Sequence, residues 1–167
     1  MDRTTNLLGA LALAVTDRIG SDTKHLLNRS GETAAAIVVL GYAPGLSVEI
    51  LRQVLQLSHP GTVRLVDRLE EDGLVERRKA VDGRAVALHL TPNGRELRSR
   101  LMDRRLHTVE ATLKGLTASE RRSFGKLLAK VLTNIQETEM AKHRICRLCT
   151  VRLCSDCPIP GNAICLG

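Results

Sequence analysis

All five cysteines of this 167-residue chain lie near its C-terminus, in a spacing that suits metal binding. Cys146, Cys149, Cys154 and Cys157 form the pattern C-x2-C-x4-C-x2-C, and Cys165 follows them. Because each C-x2-C pair can place two thiolates on one metal ion, the pattern offers the four ligands of a tetrahedral site. The sequence therefore predicts a metal site on these four cysteines, with Cys165 left over.

The spacing leaves the identity of the metal open. Zinc ribbons usually separate their cysteine pairs by about a dozen residues or more, whereas the two pairs here are much closer together. Cys149, Cys154 and Cys157 also follow the C-x4-C-x2-C spacing of plant-type iron–sulfur proteins, and Pro158 follows the last of them, as in ferredoxins. An iron–sulfur cluster and a Zn²⁺ ion therefore both remain candidates.

The residues beside the cysteines add a third alternative. Arg144, Arg147 and Arg152 are expected to lower thiol pKa values, which helps metal binding and also thiol oxidation. A reversible disulfide switch without any metal is the resulting alternative. His143 is a further candidate ligand, although a lone histidine at a helix end is more often a bystander.

The composition favours an aliphatic core and a polyanionic partner. Apolar residues make up 43% of the chain, but its aromatic residues are only Tyr42 and Phe124, so Leu, Val, Ile and Ala must form the core. The net charge of +7 favours nucleic acid or an anionic membrane surface as partner. No run approaches the ~20 apolar residues of a membrane span, so we expect no membrane partner.

The N-terminal apolar segment predicts a helix rather than a signal peptide. Residues Leu7 to Val15 resemble a signal-peptide apolar region, but Leu8, Leu11, Val15 and Ile19 continue a helical spacing beyond it. We therefore expect a cytoplasmic protein. In that reducing setting, cysteine clusters more often bind metal or sense redox state than form structural disulfides.

Residues that favour turns and helix caps divide the rest of the chain into helices and one hairpin. A first helix is predicted from about Thr4 to Ile19, and a short helical or buried segment from Thr33 to Tyr42. Ser47 and Ser58 are predicted N-caps of two further short helices, the second ending at Gly73. Two short helices joined by a tight break form a helix-turn-helix pattern.

The second half of the chain reads as a hairpin followed by long helices. Asp82-Gly83 supplies the hairpin turn, and Val86, Leu88 and Leu90 alternate with smaller or polar residues on the returning strand. Thr91-Pro92 then starts a long helix, and a capping box of Thr117 and Glu120 starts another that is predicted to reach about Lys142. The predicted fold is mainly α with a small β-hairpin wing.

The helix that begins after Ser58 carries the candidate DNA-reading residues. At 100° per residue, one arc holds Thr62, Leu65, Val66 and Leu69, which should face the core. A helix in the major groove contacts base edges mainly with its N-terminal turns. The predicted contacts are His59, Gly61, Val63, Arg64 and Arg68. Among them, Arg64 suits a bidentate contact to guanine and Val63 a contact to a thymine methyl group.

The hairpin adds a cluster of cations around its turn. Arg77, Arg78, Lys79 and Arg84 flank the Asp82-Gly83 tip, and a cationic hairpin directly after a helix-turn-helix is typical of a DNA-binding wing. Such a wing lies along the phosphate backbone or enters the minor groove, where it fixes register rather than reading sequence.

These segments together resemble the winged-helix core of the MarR family of bacterial transcription regulators. The similar stretch is LSHPGTVRLVDRLEEDGLVERRKAVDGRAVALHLTPNGREL, Leu57 to Leu97, and the flanking helices extend the resemblance over about Thr4 to Lys142. The resemblance implies a homodimer on a pseudo-palindromic operator, with Asp82 orienting Arg84 through a salt bridge while Arg84 enters the minor groove. Gly61 and Val63 stand where the family usually offers small hydroxyl residues, which implies fewer direct hydrogen bonds to bases.

The resemblance also implies a domain organisation that stops short of the cysteines. Helical dimerisation regions are expected at 1–30 and 92–142, a winged helix-turn-helix domain at 31–91, and a cysteine-rich tail at 143–167. The tail lies beyond the resemblance. Many relatives bind small phenolic ligands, but a chain with so few aromatic residues has little to stack on such rings.

The functional prediction is a non-enzymatic transcription regulator, acting as a repressor whose DNA affinity the cysteine cluster modulates. One alternative is a thiol oxidoreductase, although no βαβ unit accompanies the C-x2-C motifs. A second alternative is a metal-dependent protein-interaction module. A third is a regulator that responds to a small ligand and carries a purely structural tail.

Overall fold

The computed structural model describes residues 2–27, 31–79, 86–135, 144–150 and 158–159. These residues form a mainly helical fold with one two-stranded antiparallel sheet, as predicted. In chain order, the elements are α1 (Arg3–Leu27), α2 (Gly31–Tyr42), α3 (Val48–Leu55), α4 (His59–Glu71), β1 (Val75–Lys79), β2 (Val86–Leu90), α5 (Pro92–Thr112) and α6 (Ala118–Thr133).

Side-chain caps start four of the helices at the positions that the sequence predicts. The hydroxyl groups of Ser47, Ser58 and Thr91 each accept a hydrogen bond from the backbone N–H three residues further on. At the start of α6, Thr117 and Glu120 form the complete capping box. Each cap satisfies an N–H group that a helix would otherwise leave unpaired, so these residues define where the helices begin.

The sheet is a short hairpin that follows α4. Strand β1 pairs with β2 from Val75↔Leu90 to Lys79↔Val86, and Leu46 forms an isolated bridge to Leu88. The predicted turn at Asp82-Gly83 lies outside the described residues. The predicted alternation along β2 is partly wrong, because Ala87 is buried and Val86 is exposed. Helices α2, α3 and α5 all pack against β2, so its burial does not follow a single face.

Helix α2 forms the centre of the core. Every residue from Thr33 to Leu40 is buried. A helix that is apolar on all sides must be surrounded by other elements, and α1, α3, α5 and β2 all pack against α2. The segment predicted as helical or buried is therefore both. No helix in the described ranges is long and apolar enough to cross a membrane.

Helix α1 extends further than predicted. It continues from Ile19 to Leu27, because its last turns are held against α5 and the core. The Asp22 carboxylate accepts hydrogen bonds from Thr108 and from Arg104, the latter at 3.3 Å. The Thr108 bond, followed by Arg104, lowers the pKa of Asp22. These tertiary contacts explain why a sequence-based boundary at Ile19 is wrong.

Helix α6 ends earlier than predicted. Its last residue is Thr133 rather than Lys142, and Asn134 donates a 3.1 Å hydrogen bond to the Val131 carbonyl. This bond spans three residues instead of four, which tightens the chain into a turn and closes the helix. The described part of the chain resumes at Arg144.

Candidate nucleic-acid interface

Helices α3 and α4 form the helix-turn-helix through a very tight connection. Gln56 follows α3 in the left-handed region, with φ of 56°, and Leu57 N–H donates a 3.2 Å hydrogen bond to the Arg52 carbonyl. Ser58 then caps α4, and Pro60 occupies its first turn, where a missing N–H group costs nothing. One residue in a rare backbone conformation therefore sets the angle between the two helices.

The buried face of α4 confirms the predicted arc. Thr62, Leu65, Val66 and Leu69 are the buried residues of this helix, and all three aliphatic side chains belong to the main hydrophobic core. The hydroxyl group of Thr62 donates a 3.1 Å hydrogen bond to the Ser58 carbonyl, so the one polar group on this face is satisfied. Packing of this face fixes the rotation of the helix and points the opposite face to solvent.

The predicted base-contacting residues lie along the outer side of α4. His59, Arg64 and Arg68 are exposed, whereas Gly61 and Val63 are half-buried. Arg64 and Arg68 lie one helical turn apart, so they project from the same side of α4. The structure brings these five residues together on one helix.

A carboxylate on α3 faces the start of α4. The Glu49 carboxylate accepts hydrogen bonds from Arg52 and Gln53, and these bonds lower the pKa of Glu49 to about 2. His59 Nδ1 lies 3.9 Å from Glu49 Oε2. Glu49 therefore stays ionised at any physiological pH and lies beside His59 at the start of α4.

Arg77 lies between the hairpin and α4. Its guanidinium contacts the Asp67 carboxylate at 2.5 Å and also pairs with Glu70, while its backbone N–H donates to Glu70 at 3.2 Å. Burial opposes the charged form, but the hydrogen bonds that Arg77 donates to Asp67 and Glu70 raise the pKa of Arg77. The sequence predicts Arg77 as a DNA contact. In the structure, its guanidinium ties β1 to α4, and the DNA contact stays a prediction.

This arrangement predicts that Arg77→Met destabilises the hairpin. The substitution keeps the unbranched apolar stem of the side chain but leaves Asp67 and Glu70 without their shared cation, so we expect the free energy of unfolding in urea to fall by about 1 kcal/mol. Arg78→Met is the matched control, because Arg78 is more exposed and pairs only with its neighbour Glu76 among the carboxylates of the described residues. Equal losses in both variants would contradict the tie between β1 and α4.

The remaining predicted wing residues divide into two groups. Arg78 and Lys79 are exposed at the end of β1, where Arg78 also pairs with Glu76. Asp82 and Arg84 lie outside the described residues, so their predicted salt bridge stays a prediction. The side chains available at the base of the wing are therefore cationic.

The first cysteine pair is docked against the helical body. Cys146 is buried and Cys149 half-buried, and the Tyr42 hydroxyl donates a hydrogen bond to the Cys149 carbonyl. The Cys146 side chain hydrogen-bonds to Cys149 and, with a smaller contribution from Arg105, lowers the pKa of Cys149 to about 6 although burial opposes this shift. The sequence predicts Arg144 and Arg147 as the nearby cations, but the structure places Arg105 of α5 in that role.

The rest of the predicted metal site lies outside the described residues, and this includes Cys154, Cys157, Cys165, His143 and Arg152. In the part of the chain that the structure describes, no cluster of three or more metal-ligating side chains occurs. No disulfide joins Cys146 to Cys149. They are two of the four cysteines of the predicted metal site.

Helices α1, α5 and α6 enclose an open apolar groove of about 540 Å³. Several leucines along it are exposed, among them Leu8, Leu11 and Leu128. Large contiguous apolar surfaces on a folded protein usually mark an interaction site. The lining residues are Leu8, Leu11, Ala12, Val15, Thr16, Val109, Thr112, Leu113, Leu116, Phe124 and Leu128.

Two features of the site were missed by sequence reasoning. Arg77 pairs with carboxylates seven and ten residues earlier. The sequence signal for these pairs is the opposite charge of residues that face each other across the junction between the helix and the strand. Gly94 packs its Cα directly over the Leu74 carbonyl. Gly94 lies two residues after Pro92, in the predicted first turn of the helix, and nothing in the sequence there indicates this close contact.

The arrangement of α3, α4, β1 and β2 is that of a winged helix-turn-helix. The sequence model of the MarR family matches residues 27–85, which include α2, α3, α4 and β1. The predicted resemblance is therefore confirmed over these residues: the winged helix of this chain is similar to that of the MarR family.

A sequence relative supports the same assignment. The chain is 31% identical over 84 residues to YwhA of Bacillus subtilis (strain 168), an uncharacterized HTH-type transcriptional regulator. The match covers 50% of this chain and 60% of YwhA. The shared segment thus spans less than two thirds of that relative.

Solved structures agree with the fold. A MarR-family transcriptional regulator from Silicibacter pomeroyi is 26% identical, with a TM-score of 0.60 and coverage of 82% of this chain and 92% of that one. MepR of Staphylococcus aureus, a regulator of the multidrug efflux pump MepA, is 19% identical with a TM-score of 0.69, over 79% and 98% of the two chains. The Mycobacterium tuberculosis MarR-family protein Rv2887, solved in complex with DNA, is 21% identical with a TM-score of 0.63, over 78% and 98%.

Proposed function

We propose that this chain is a homodimeric, sequence-specific DNA-binding repressor that acts on a pseudo-palindromic operator in the cytoplasm. The single observation that carries this proposal is the geometry of α4. One face of this helix is locked into the core, and the other presents Arg64 and Arg68 to solvent. A helix held in this way can enter a major groove without rearranging the core.

The proposed contacts divide between base reading and backbone positioning. Arg64 reads a guanine edge and Val63 contacts a thymine methyl group, while Arg68 and His59 reach the groove walls. Arg78 and Lys79, with Arg84 at the tip, follow the phosphate backbone or enter the minor groove. Because Arg77 neutralises Asp67 and Glu70, it reduces the repulsion between α4 and DNA rather than binding DNA itself.

The groove between α1, α5 and α6 supports the homodimer. Its lining is almost entirely aliphatic, with Phe124 as its one aromatic ring. A second copy of the chain provides a matching apolar surface, and a two-fold symmetric pair places two copies of α4 on adjacent turns of a duplex. Half-sites separated by about one helical turn are therefore expected.

Arg64→Ala tests the proposed base contact. One bidentate contact to guanine is worth about 1–3 kcal/mol, so we expect operator affinity to fall by roughly 5- to 150-fold in a gel-shift assay, with little change on unrelated duplex. The operator probe is duplex from the promoter of the protein's own gene. Arg100→Ala, which removes another exposed cation, from α5, is the control. If both variants lose affinity equally, on operator and on unrelated duplex, Arg64 contributes only nonspecific charge and the proposed base contact is contradicted.

We further propose that the cysteine cluster modulates DNA affinity, either as an iron–sulfur cluster, as a Zn²⁺ site or as a disulfide switch. The pairing of Cys146 and Cys149 supports this proposal, since two thiols already within hydrogen-bonding reach can share one metal ion or form one disulfide. In the disulfide case, the two thiols lose two electrons and two protons to a thiol oxidant of the diazene or peroxide class.

Metal analysis with an absorption spectrum of anaerobically purified protein separates the three forms of the proposal. Iron and sulfide with a brown colour indicate a cluster, and colourless protein with stoichiometric zinc indicates a zinc site. Metal-free protein whose thiols react with a thiol reagent indicates the disulfide switch.

A further inference from the structure

The segment Arg144–Thr150, which we call the cysteine segment, docks at the point where α2 ends. Cys146 is only 3% exposed, and the carbonyl of Cys149 accepts the hydrogen bond from the Tyr42 hydroxyl. Tyr42 is the last residue of α2 and precedes Cys149 by 107 residues. The body of the fold therefore holds this segment.

Tyr42 is itself fixed from the opposite side by α5. The Arg98 guanidinium lies 4.2 Å from the centre of the Tyr42 ring, and Arg98 Nε donates a 3.4 Å hydrogen bond to the Val38 carbonyl. A Cβ atom at Gly41 would lie 2.1 Å from Arg98 Cδ, so the glycine is what lets the arginine pass over α2. The ring is held by α5, and its hydroxyl holds the cysteine segment.

The chain after Tyr42 leads directly into the winged helix. Gly45 N–H donates a 2.8 Å hydrogen bond to the Leu88 carbonyl, and Leu88 N–H donates a 2.9 Å hydrogen bond to the Leu46 carbonyl. Leu88 is the central residue of β2. Ser47 follows at once and caps α3. A four-residue turn, residues 43–46, thus joins Tyr42 to the wing strand and to the first helix of the helix-turn-helix.

We propose that Tyr42 is the positioning residue that couples the cysteine segment to the winged helix. This inference rests on the proposed function, in which chemistry at the cysteines changes DNA affinity. Because Cys146 is only 3% exposed, an oxidant or a new ligand reaches its sulfur only when the segment moves away from the helical body, and a disulfide to Cys149 replaces the hydrogen bond between the two side chains. Displacement breaks the hydrogen bond to Tyr42, and the docked and displaced states then differ in the position of the turn at residues 43–46. Allosteric coupling requires two such states with different contacts.

The sequence supplies a direct optical reporter for this coupling. Tyr42 is the only tyrosine in the chain, and the chain contains no tryptophan. Intrinsic tyrosine fluorescence therefore reports the environment of this one hydroxyl group. If the protein is titrated with the diazene oxidant diamide, the fluorescence change and the change in operator affinity should follow the same dose dependence.

The test compares wild type with Tyr42→Phe, which removes the hydroxyl group and keeps the ring under Arg98. One lost hydrogen bond is expected to raise the rate at which iodoacetamide alkylates Cys146 by about threefold to tenfold. Operator affinity of the reduced Tyr42→Phe protein should stay near the wild-type value. Diamide should then change the operator affinity of this variant by no more than about twofold. Ser99→Ala, which removes an exposed hydroxyl group from α5, should behave as wild type in both assays.

The outcomes separate this inference from the function on which it rests. If wild type responds to diamide and Tyr42→Phe responds equally, with equal alkylation of Cys146, the coupling through Tyr42 is refuted and the regulatory role of the cysteines stands. If wild type and Cys149→Ser respond identically to diamide, the regulatory role itself is refuted, and the coupling with it. Loss of the response in Tyr42→Phe, with faster alkylation of Cys146, supports both.

Discussion

Replacing Gly94 with alanine is expected to destabilise the winged helix by about 3 kcal/mol. An added Cβ atom would lie 2.1 Å from the Leu74 carbonyl oxygen and 3.0 Å from its carbonyl carbon. These are backbone atoms at the junction of α4 and β1, so they cannot move aside as a side chain would. The first turn of α5 would have to separate from this junction.

The hydrogen bonds around Gly94 explain why that separation is costly. Thr91 N–H donates a 3.1 Å hydrogen bond to the Leu74 carbonyl, and the Thr91 hydroxyl donates a 2.6 Å hydrogen bond to the Gly73 carbonyl. The same hydroxyl accepts the Gly94 N–H at 3.1 Å. Moving α5 away disturbs all three bonds together, which adds to the cost of the steric clash.

Urea denaturation of Gly94→Ala measures this effect, with Gly115→Ala as the control. Gly115 lies in the turn between α5 and α6, and an added Cβ atom there meets no atom within 4 Å. We expect the control to unfold within about 0.5 kcal/mol of wild type. Similar stability of the two variants would show that α5 does not pack against the Leu74 backbone as described.

Leu11→Glu is expected to separate the dimer and to reduce operator affinity by about 100-fold or more. A monomer binds a single half-site and loses the linked contact that the second protomer makes to the other half-site. Leu11 lines the groove between α1, α5 and α6 and is 40% exposed in the single chain. Burying an unpaired carboxylate in an apolar interface is strongly unfavourable. The fold of the single chain should survive, since the position is already partly in water.

Sedimentation velocity and gel-shift assays check this second prediction together. Ala10→Glu is the matched control, because it adds the same charge to α1 on the face opposite the groove. We expect the control to remain dimeric and to bind operator as wild type does. A dimeric Leu11→Glu variant with unchanged affinity would move the dimer interface to another surface.

Local signals explain most of what could be predicted from the sequence. Ser47, Ser58, Thr91 and the Thr117–Glu120 capping box act within three residues of their own position, so their spacing alone locates the helix starts. The buried arc of α4 follows equally from helical periodicity.

Contacts between distant residues could not be predicted in the same way. The end of α1 depends on Asp22 meeting Thr108, and the role of Arg77 depends on how β1 folds back along α4. The docking of Cys149 on Tyr42 joins residues that no periodic pattern relates. In each case a side chain is satisfied by a partner that only the tertiary structure brings close, and the sequence-based assignment of that residue was incomplete or wrong.

The central claim is that this chain reads DNA sequence through α4 and the wing. The most direct test is the affinity of the purified protein for duplex from its own promoter and for a shuffled duplex of equal composition, measured over a series of salt concentrations. We predict at least a 100-fold preference for the promoter. We also predict a log–log salt slope of about −5 or steeper, from neutralised phosphates. Equal affinity for both duplexes at every salt concentration would contradict the account.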